Sequence, residues 1–149
     1  MAFIKLKKKF LIVVPFIALT VLLADQISVQ LFKEIFLRLR PCHTPTIADF
    51  VHTVNNECGG LYGFISSHAA NTFSVAFFIG LLLKKHYPWL LILLLVWASI
   101  VSYSRIYLGV HFPGDILGGI LVGSLIGIGV FKVLMIINKK FHLQIDLRD

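Results

Sequence analysis

Four long apolar runs, separated by short charged or polar segments, constrain the fold of this chain more than any other feature. A run of about 18 or more apolar residues is typical of a membrane helix, and 58% of the 149 residues are hydrophobic, too many for a soluble domain of this size. We therefore predict an all-α integral membrane bundle of about four transmembrane helices, forming one domain over residues 1–149. The predicted spans cover residues 10–36, 67–83, 88–104 and 115–137, and residues 41–60 form a polar outer loop.

Positive charge follows the ends of these spans. The net charge is +7, but the Lys and Arg residues stand in short tracts beside apolar runs, which is typical of orientation signals and not of a nucleic-acid surface. Nucleic acid is therefore excluded as a partner, and both termini and the Lys84–Lys85 turn are expected to be cytoplasmic. The N-terminal run also resembles a signal peptide, but no small-residue cleavage pattern follows, so we expect an uncleaved helix. The positive residues left on the outer side are Lys33, Arg38, Arg40 and Arg105.

Both cysteines, Cys42 and Cys58, lie in the outer loop. If this loop faces an oxidising compartment, a disulfide between them is favoured over free thiols. Zinc is an open alternative because His43 and His52 are nearby in sequence, although the spacing matches no familiar zinc pattern.

Small residues recur along the fourth span. Asp115, Gly119, Gly123 and Gly127 follow one another every four residues and so share one helical face. Such a stripe lets a neighbouring helix approach closely, which favours packing inside the bundle. A dimer interface through the same glycines is the alternative.

The segment SRIYLGVHFPGD, residues 104–115, places three ionisable groups between two apolar runs. His111 is a candidate nucleophile or base, Asp115 could orient its imidazole, and Arg105 could hold an anion. The alternative is a polar loop in which Asp115 only caps the next helix.

Two further groups of polar residues precede this segment. Lys33 and Arg40 are seven positions apart, so a helix through both would set them on one face, where they could clamp a phosphate; interfacial cations without that role are the alternative. Ser66 and Ser67 open the second span, and a helix N-terminus binds anions, while His68 could donate a proton. An ordinary helix cap would use the same serines.

Taken in order, these three groups resemble the signature motifs of a known family. The first group is a Lys followed after six residues by Arg-Pro, the second is a Ser-x-His, and the third is a Ser-Arg with His and Asp at fixed spacing. These groups are similar to the signature motifs of the type-2 phosphatidic-acid phosphatase and vanadium-haloperoxidase superfamily. The match spans residues 33–115. The segments DQIS, RLRPCH and NECGGLYGFISSHAANTF are also similar to small bacterial membrane members described as undecaprenyl-diphosphatase-like.

The resemblance implies a metal-independent lipid phosphatase that needs no cofactor. His111 would form a phosphohistidine with Asp115 hydrogen-bonded to it, and His68 would protonate the leaving group and later activate water. The phosphate oxygens would be bound by Lys33, Arg40, Ser66, the backbone N–H of Ser67, and Arg105. The expected substrate is undecaprenyl diphosphate, with phosphatidylglycerophosphate or phosphatidic acid as alternatives, at the outer face of a bacterial inner membrane.

The sequence departs from the family pattern in two places. The second motif usually reads Pro-Ser-Gly-His, whereas this chain has Ile65, Ser66, Ser67 and His68. Membrane members typically place three of six spans before the first motif, and only one is predicted here, so the expected fold is the acid-phosphatase/haloperoxidase-like core without two N-terminal helices. A non-catalytic protein that binds anionic lipid is the alternative of another class.

Overall fold

The computed structural model describes residues 2–54 and 57–143, and for residues 2–10 it describes the backbone only. Asn55 and Asn56 of the predicted outer loop therefore lie outside the described residues. The same holds for the side chains of the N-terminal lysines, Lys5, Lys7, Lys8 and Lys9.

The described residues form a helical bundle with no strand, as the composition predicts. Three stretches are long and apolar enough to cross a membrane: Leu11–Phe36, Leu90–Tyr107 and Pro113–Phe141. The remaining predicted span, residues 67–83, is a helix of 17 residues, about 26 Å long at ~1.5 Å per residue. The helices are α1 (Ala2–Gln26), continued by a π-helical segment (Ile27–Lys33) and α2 (Glu34–Phe36), then α3 (Ser67–Leu83), α4 (Leu90–Tyr107) and α5 (Pro113–Phe141).

Helix α3 is the centre of the bundle and packs against α1, α4 and α5. Its C-terminal half meets residues 12–23 of α1 and the C-terminal half of α5 in one apolar cluster around Phe78 and Leu134. Gly80, near its end, lies against Leu91 at the start of α4. Neighbouring helices in sequence therefore alternate in direction, which places Lys84 and Lys85 at one end of the bundle and the starts of α3 and α5 at the other.

The glycine stripe of α5 packs inside the chain. A Cβ atom at Gly119 would lie 2.6 Å from the Ser66 carbonyl oxygen, and one at Gly123 would collide with the Ala70 carbonyl oxygen. Gly127 meets Ser74 in the same way. Only glycine lets α3 and α5 come this close, so the interpretation as internal packing is confirmed.

The helix that carries Lys33 does not continue to Arg40. It ends at Phe36, where Leu37 adopts a left-handed conformation (φ 48°), and Arg40 is extended (φ −68°, ψ 158°). The prediction that Lys33 and Arg40 share one helical face is therefore wrong. The left-handed residue reverses the chain and sends it into the loop, which holds short 3-10 turns at Pro41–His43 and Ala48–Phe50.

Candidate active site

A short extended segment carries two arginines to the start of α5. Leu39 forms an isolated antiparallel bridge with Tyr62, in which the Gly63 N–H donates to the Arg38 carbonyl (2.8 Å) and the Arg40 N–H to the Leu61 carbonyl (3.1 Å). Residues two apart in an extended chain point to the same side. The pairing therefore fixes both guanidinium groups relative to the bundle.

Arg40 is held by the loop that follows it. Its guanidinium donates to the carbonyl oxygens of Tyr62 (3.4 Å) and Cys58 (3.3 Å). A disulfide joins Cys58 to Cys42, whose Cα atoms are 6.1 Å apart, and so closes the loop beneath the arginine. The zinc alternative does not fit this state of the loop, because zinc binds thiolates and both sulfurs are in the disulfide.

His111 and Asp115 meet at the first turn of α5. Asp115 is fully buried and His111 nearly so. The carboxylate oxygen Oδ2 accepts the N–H of Phe112 at 2.8 Å and lies 3.4 Å from Nδ1 of His111. When Nδ1 carries the proton that faces Asp115, the lone pair for chemistry is on Nε2. Pro113 suits this turn because the first helical position needs no N–H donor.

Burial lowers the pKa of His111 below its ordinary value, although the hydrogen bond that its ring donates to Asp115 opposes the shift. The positive charges of Arg40 and Lys33 lower it further. His111 is therefore a neutral imidazole at neutral pH, the form that can act as a nucleophile.

The start of α3 is tied directly to the start of α5. The Ser66 N–H donates to the backbone carbonyl of Asp115 at 3.0 Å, and its buried hydroxyl accepts the N–H of Ala69 at 3.4 Å. Ser66 is thus the N-cap of α3, as the alternative interpretation expected, and its side chain lies inside the protein.

Lys33 reaches α3 through a chain of hydroxyl groups. Its ammonium donates to Oγ of Ser67 at 2.7 Å, and Ser67 is 2.7 Å from Oγ of Ser28 in the π-helical segment. Ser28 donates its own hydrogen to the Asp25 carbonyl (2.8 Å), so the remaining hydrogen between the two hydroxyls comes from Ser67. The ammonium is therefore positioned by the serine that stands where the family pattern has glycine.

A cavity of about 400 Å³ opens where these elements meet. It brings together four of the residues predicted for catalysis or phosphate binding, and the Asp115 carboxylate lies behind His111. Lys33 does not line the cavity, but its positive charge acts on His68, as do the charges of Arg40 and Arg105. The cavity is lined by Arg40, Val54, Glu57, Cys58, Gly59, His68, Arg105, Leu108, Val110 and His111.

A comparison with protein families shows which family this chain is related to: the sequence profile of the PAP2 superfamily matches residues 14–139. The chain belongs to the PAP2 superfamily. The resemblance proposed from the three motifs is thereby confirmed, and so is the helical integral membrane fold, which is that of PAP2 proteins.

Several curated PAP2 phosphatases are similar to this chain. A lipid A 4'-phosphatase of Porphyromonas gingivalis is 44% identical over 129 residues, covering 85% of this chain and 52% of the relative. Phosphatidylglycerophosphatase B of Bacillus subtilis is 35% identical over 68% of this chain and 49% of its own length. An undecaprenyl-diphosphatase of Sulfolobus acidocaldarius is 43% identical over 42% of this chain and 29% of its own length. No solved structure matches the chain.

The chain spans about half the length of the curated PAP2 relatives that it matches most broadly. The matched region nevertheless contains the whole set of motif residues, from Lys33 to Asp115.

Sequence reasoning missed two residues of this PAP2 site. Arg38 lies 3.3 Å from Oδ1 of Asp115, and Ser28 bonds Ser67. Arg38 carried a usable signal, because it was one of the positive residues on the outer side. Ser28 carried none, since its partner is 39 positions away.

Proposed function

We propose that this chain forms a transmembrane phosphatase domain that hydrolyses the phosphate of a membrane lipid without a metal ion, through a phosphohistidine. The observation that carries the proposal is the cavity, in which His68 from α3 and His111 from the turn before α5 face one space together with two arginines. An anion-binding protein needs the arginines alone. Two histidines with separate surroundings, one buried against a carboxylate and one exposed to the cavity, suit a nucleophile and a proton donor.

In the first step Nε2 of His111 attacks phosphorus while the bond from phosphorus to the lipid oxygen breaks. His68 gives its proton to that oxygen, and the lipid leaves as an alcohol. In the second step His68 takes a proton from water, the water oxygen attacks phosphorus, and the N–P bond breaks to release inorganic phosphate. Both histidines then return to their starting state.

Positive charge would stabilise the phosphoryl group as it transfers. Arg40 and Arg105 lie on the cavity wall, and Lys33 reaches it electrostatically from the π-helical segment. Fixed charges of this kind act without reorganisation during the reaction. The backbone N–H of Ser67, at the start of α3, supplies a further donor.

The site suits a substrate with its tail in the bilayer. The apolar faces of α1, α4 and α5 are exposed, while the cavity lies at the end of the bundle away from Lys84 and Lys85. Because positive residues mark the cytoplasmic side, we place the termini in the cytoplasm and the cavity at the outer face of a bacterial inner membrane.

For the substrate we put a phosphorylated saccharolipid such as lipid A 4'-phosphate first. The matches that support it cover 85% and 72% of this chain. Undecaprenyl diphosphate, the expectation from the sequence motifs, comes second because the matches to undecaprenyl-diphosphatases are shorter. Phosphatidylglycerophosphate is third.

Phosphate release by the purified protein in lipid nanodiscs, with a chelator present, tests the function. The three lipids are offered separately, and His111→Ala is compared with His86→Ala, which removes an exposed histidine at the far end of the bundle. We expect turnover by the wild type and by His86→Ala only. Lipid binding without turnover would favour the non-catalytic alternative, and an active His111→Ala protein would refute the assignment of the nucleophile.

A further inference from the structure

We propose that Arg38, which lies inside the first motif but is not one of its defining residues, is a positioning residue that holds the Asp115 carboxylate and through it the His111 ring. The inference rests on the proposed function and deepens it. Arg38 acts from behind the site, on the side of Asp115 that faces away from the histidine, and it is absent from the cavity wall.

The two oxygens of Asp115 have different surroundings. Oδ2 is taken by the Phe112 N–H and by His111. Oδ1 is buried and accepts no hydrogen bond of good geometry within the described residues, and its charged neighbour is the Arg38 guanidinium at 3.3 Å. A buried carboxylate is costly without a counter-charge, and this ion pair supplies one on the side of Asp115 away from the histidine.

Arg38 is itself held in place. Its guanidinium lies over the ring of Phe112, with the carbon Cζ 4.7 Å from the ring centroid, and at 5.6 Å from that of Phe64. Its backbone carbonyl accepts the Gly63 N–H. A planar cation stacked on an aromatic ring is an arrangement that arginine makes better than lysine. The side chain is 40% exposed, so one face of it borders solvent.

Arg40 has a different environment although it is only two residues away. It lines the cavity and is bonded to the loop carbonyls. A Cβ atom at Gly63 would lie 3.1 Å from Cγ of Arg40 and 3.3 Å from Oδ2 of Asp115, so this glycine fills the narrow space between them. Arg40 is thus placed to meet the phosphate, and Arg38 is placed to meet Asp115.

Loss of Arg38 changes the electrostatic potential at the His111 ring. The charged and titratable groups around this ring come from every element of the site. They are Asp115 from α5, Arg40 from the extended segment, Lys33 from the π-helical segment, His68 from α3, Arg105 from α4 and Glu57 from the loop. Without Arg38 the negative charge of Asp115 acts more strongly on the imidazole, with only Arg40 and Lys33 left to oppose it, and this raises the pKa of His111. The neutral nucleophile is then available only at higher pH, and the carboxylate that orients it has lost its partner on Oδ1.

The test compares Arg38→Gln and Arg38→Lys with Lys84→Gln, which removes one exposed positive charge at the far end of the bundle. Arg38→Gln should lower kcat on the order of 10-fold, by analogy with the loss on removing residues that orient metal ligands, with KM within about 2-fold of the wild type. The acid limb of the kcat/KM profile should move to higher pH. Arg38→Lys keeps the charge without the stacking, so its kcat should be intermediate.

A second, independent measurement does not require the protein to turn over substrate. NMR titration of the histidine rings in nanodiscs should show a higher pKa for His111 in Arg38→Gln than in the wild type and in Lys84→Gln. If the wild type releases no phosphate, the proposed function fails while this titration still tests the inference. If the wild type is active but Arg38→Gln keeps its kcat, its acid limb and the His111 titration, the positioning role is refuted. A raised KM with unchanged kcat in both variants would also refute it, because it would place Arg38 on the phosphate.

Discussion

The close approach of α3 and α5 at Gly119 should be essential for both stability and activity. An added Cβ would lie 2.6 Å from the Ser66 carbonyl oxygen and 2.8 Å from Cβ of Ala69, whereas ordinary contact needs about 3.5 Å. The start of α3 must therefore move by about 0.9 Å relative to α5 in Gly119→Ala. Gly129, on the same helix, has nothing within 4 Å of such an atom, so Gly129→Ala is a matched control.

Both substitutions gain the same helix propensity of up to about 1 kcal/mol, so their difference isolates the overpacking. Overpacking costs about 1–3 kcal/mol, which corresponds to a Tm lower by about 2–12 °C for Gly119→Ala than for Gly129→Ala. Because Ser66 precedes Ser67 and His68, the same shift moves the proton donor away from His111. A displacement near 1 Å can cost about 10²-fold in rate.

Thermal unfolding in detergent and phosphate release measure these two effects on the same preparations. Gly129→Ala should match or exceed the wild type in Tm and retain its kcat. If Gly119→Ala is as stable and as active as Gly129→Ala, the reasoning from close packing to site geometry is refuted.

Three other predictions concern the site itself. Because burial lowers the pKa of His111, the acid limb of the kcat/KM profile, corrected for ionisation of the substrate, should lie below the ordinary histidine value of about 6.5; a limb above this value would contradict the neutral, buried nucleophile. Reduction of the loop disulfide should raise KM, since Arg40 is held by the Cys58 carbonyl; an unchanged KM would show that the loop keeps its shape without the bond. Ser67→Ala removes the acceptor of the Lys33 ammonium and should raise KM about 5-fold, the value of roughly 1 kcal/mol for one hydrogen bond, and equal KM values in the two proteins would contradict this role.

Features with a period inside one helix could be predicted from the sequence. The glycine stripe of α5 has a spacing of four, and its packing on α3 follows from that spacing and from the small size of the residue. The span at 67–83 coincides with α3, because a polar residue at each end marks where the apolar run stops. The alternating directions of α3, α4 and α5 also follow from chain connectivity, since only short turns join these three helices.

Features that depend on an interruption of the helix could not be predicted. Nothing in the segment 27–40 signals a π-helical turn or a left-handed Leu37, so a continuous helix was the natural expectation for Lys33 and Arg40. This break in the helix turns Arg38 toward Asp115, which lies 77 positions later in the chain. Contacts of this kind are set by how several elements pack together, and local propensity does not report them.

Trapping the phosphoryl group on the protein is the most direct test of His111 as the nucleophile. Phosphohistidine survives alkaline quenching, so wild-type protein mixed with substrate and quenched in base can be digested and analysed by mass spectrometry. His68→Ala should accumulate more of the intermediate when the substrate has a leaving group that needs no protonation, because the water that ends the cycle lacks its base. We predict a phosphoryl group on His111 in both proteins and none in His111→Ala. Steady turnover with no phosphoryl group on His111, or with the group on another residue, would contradict the mechanism.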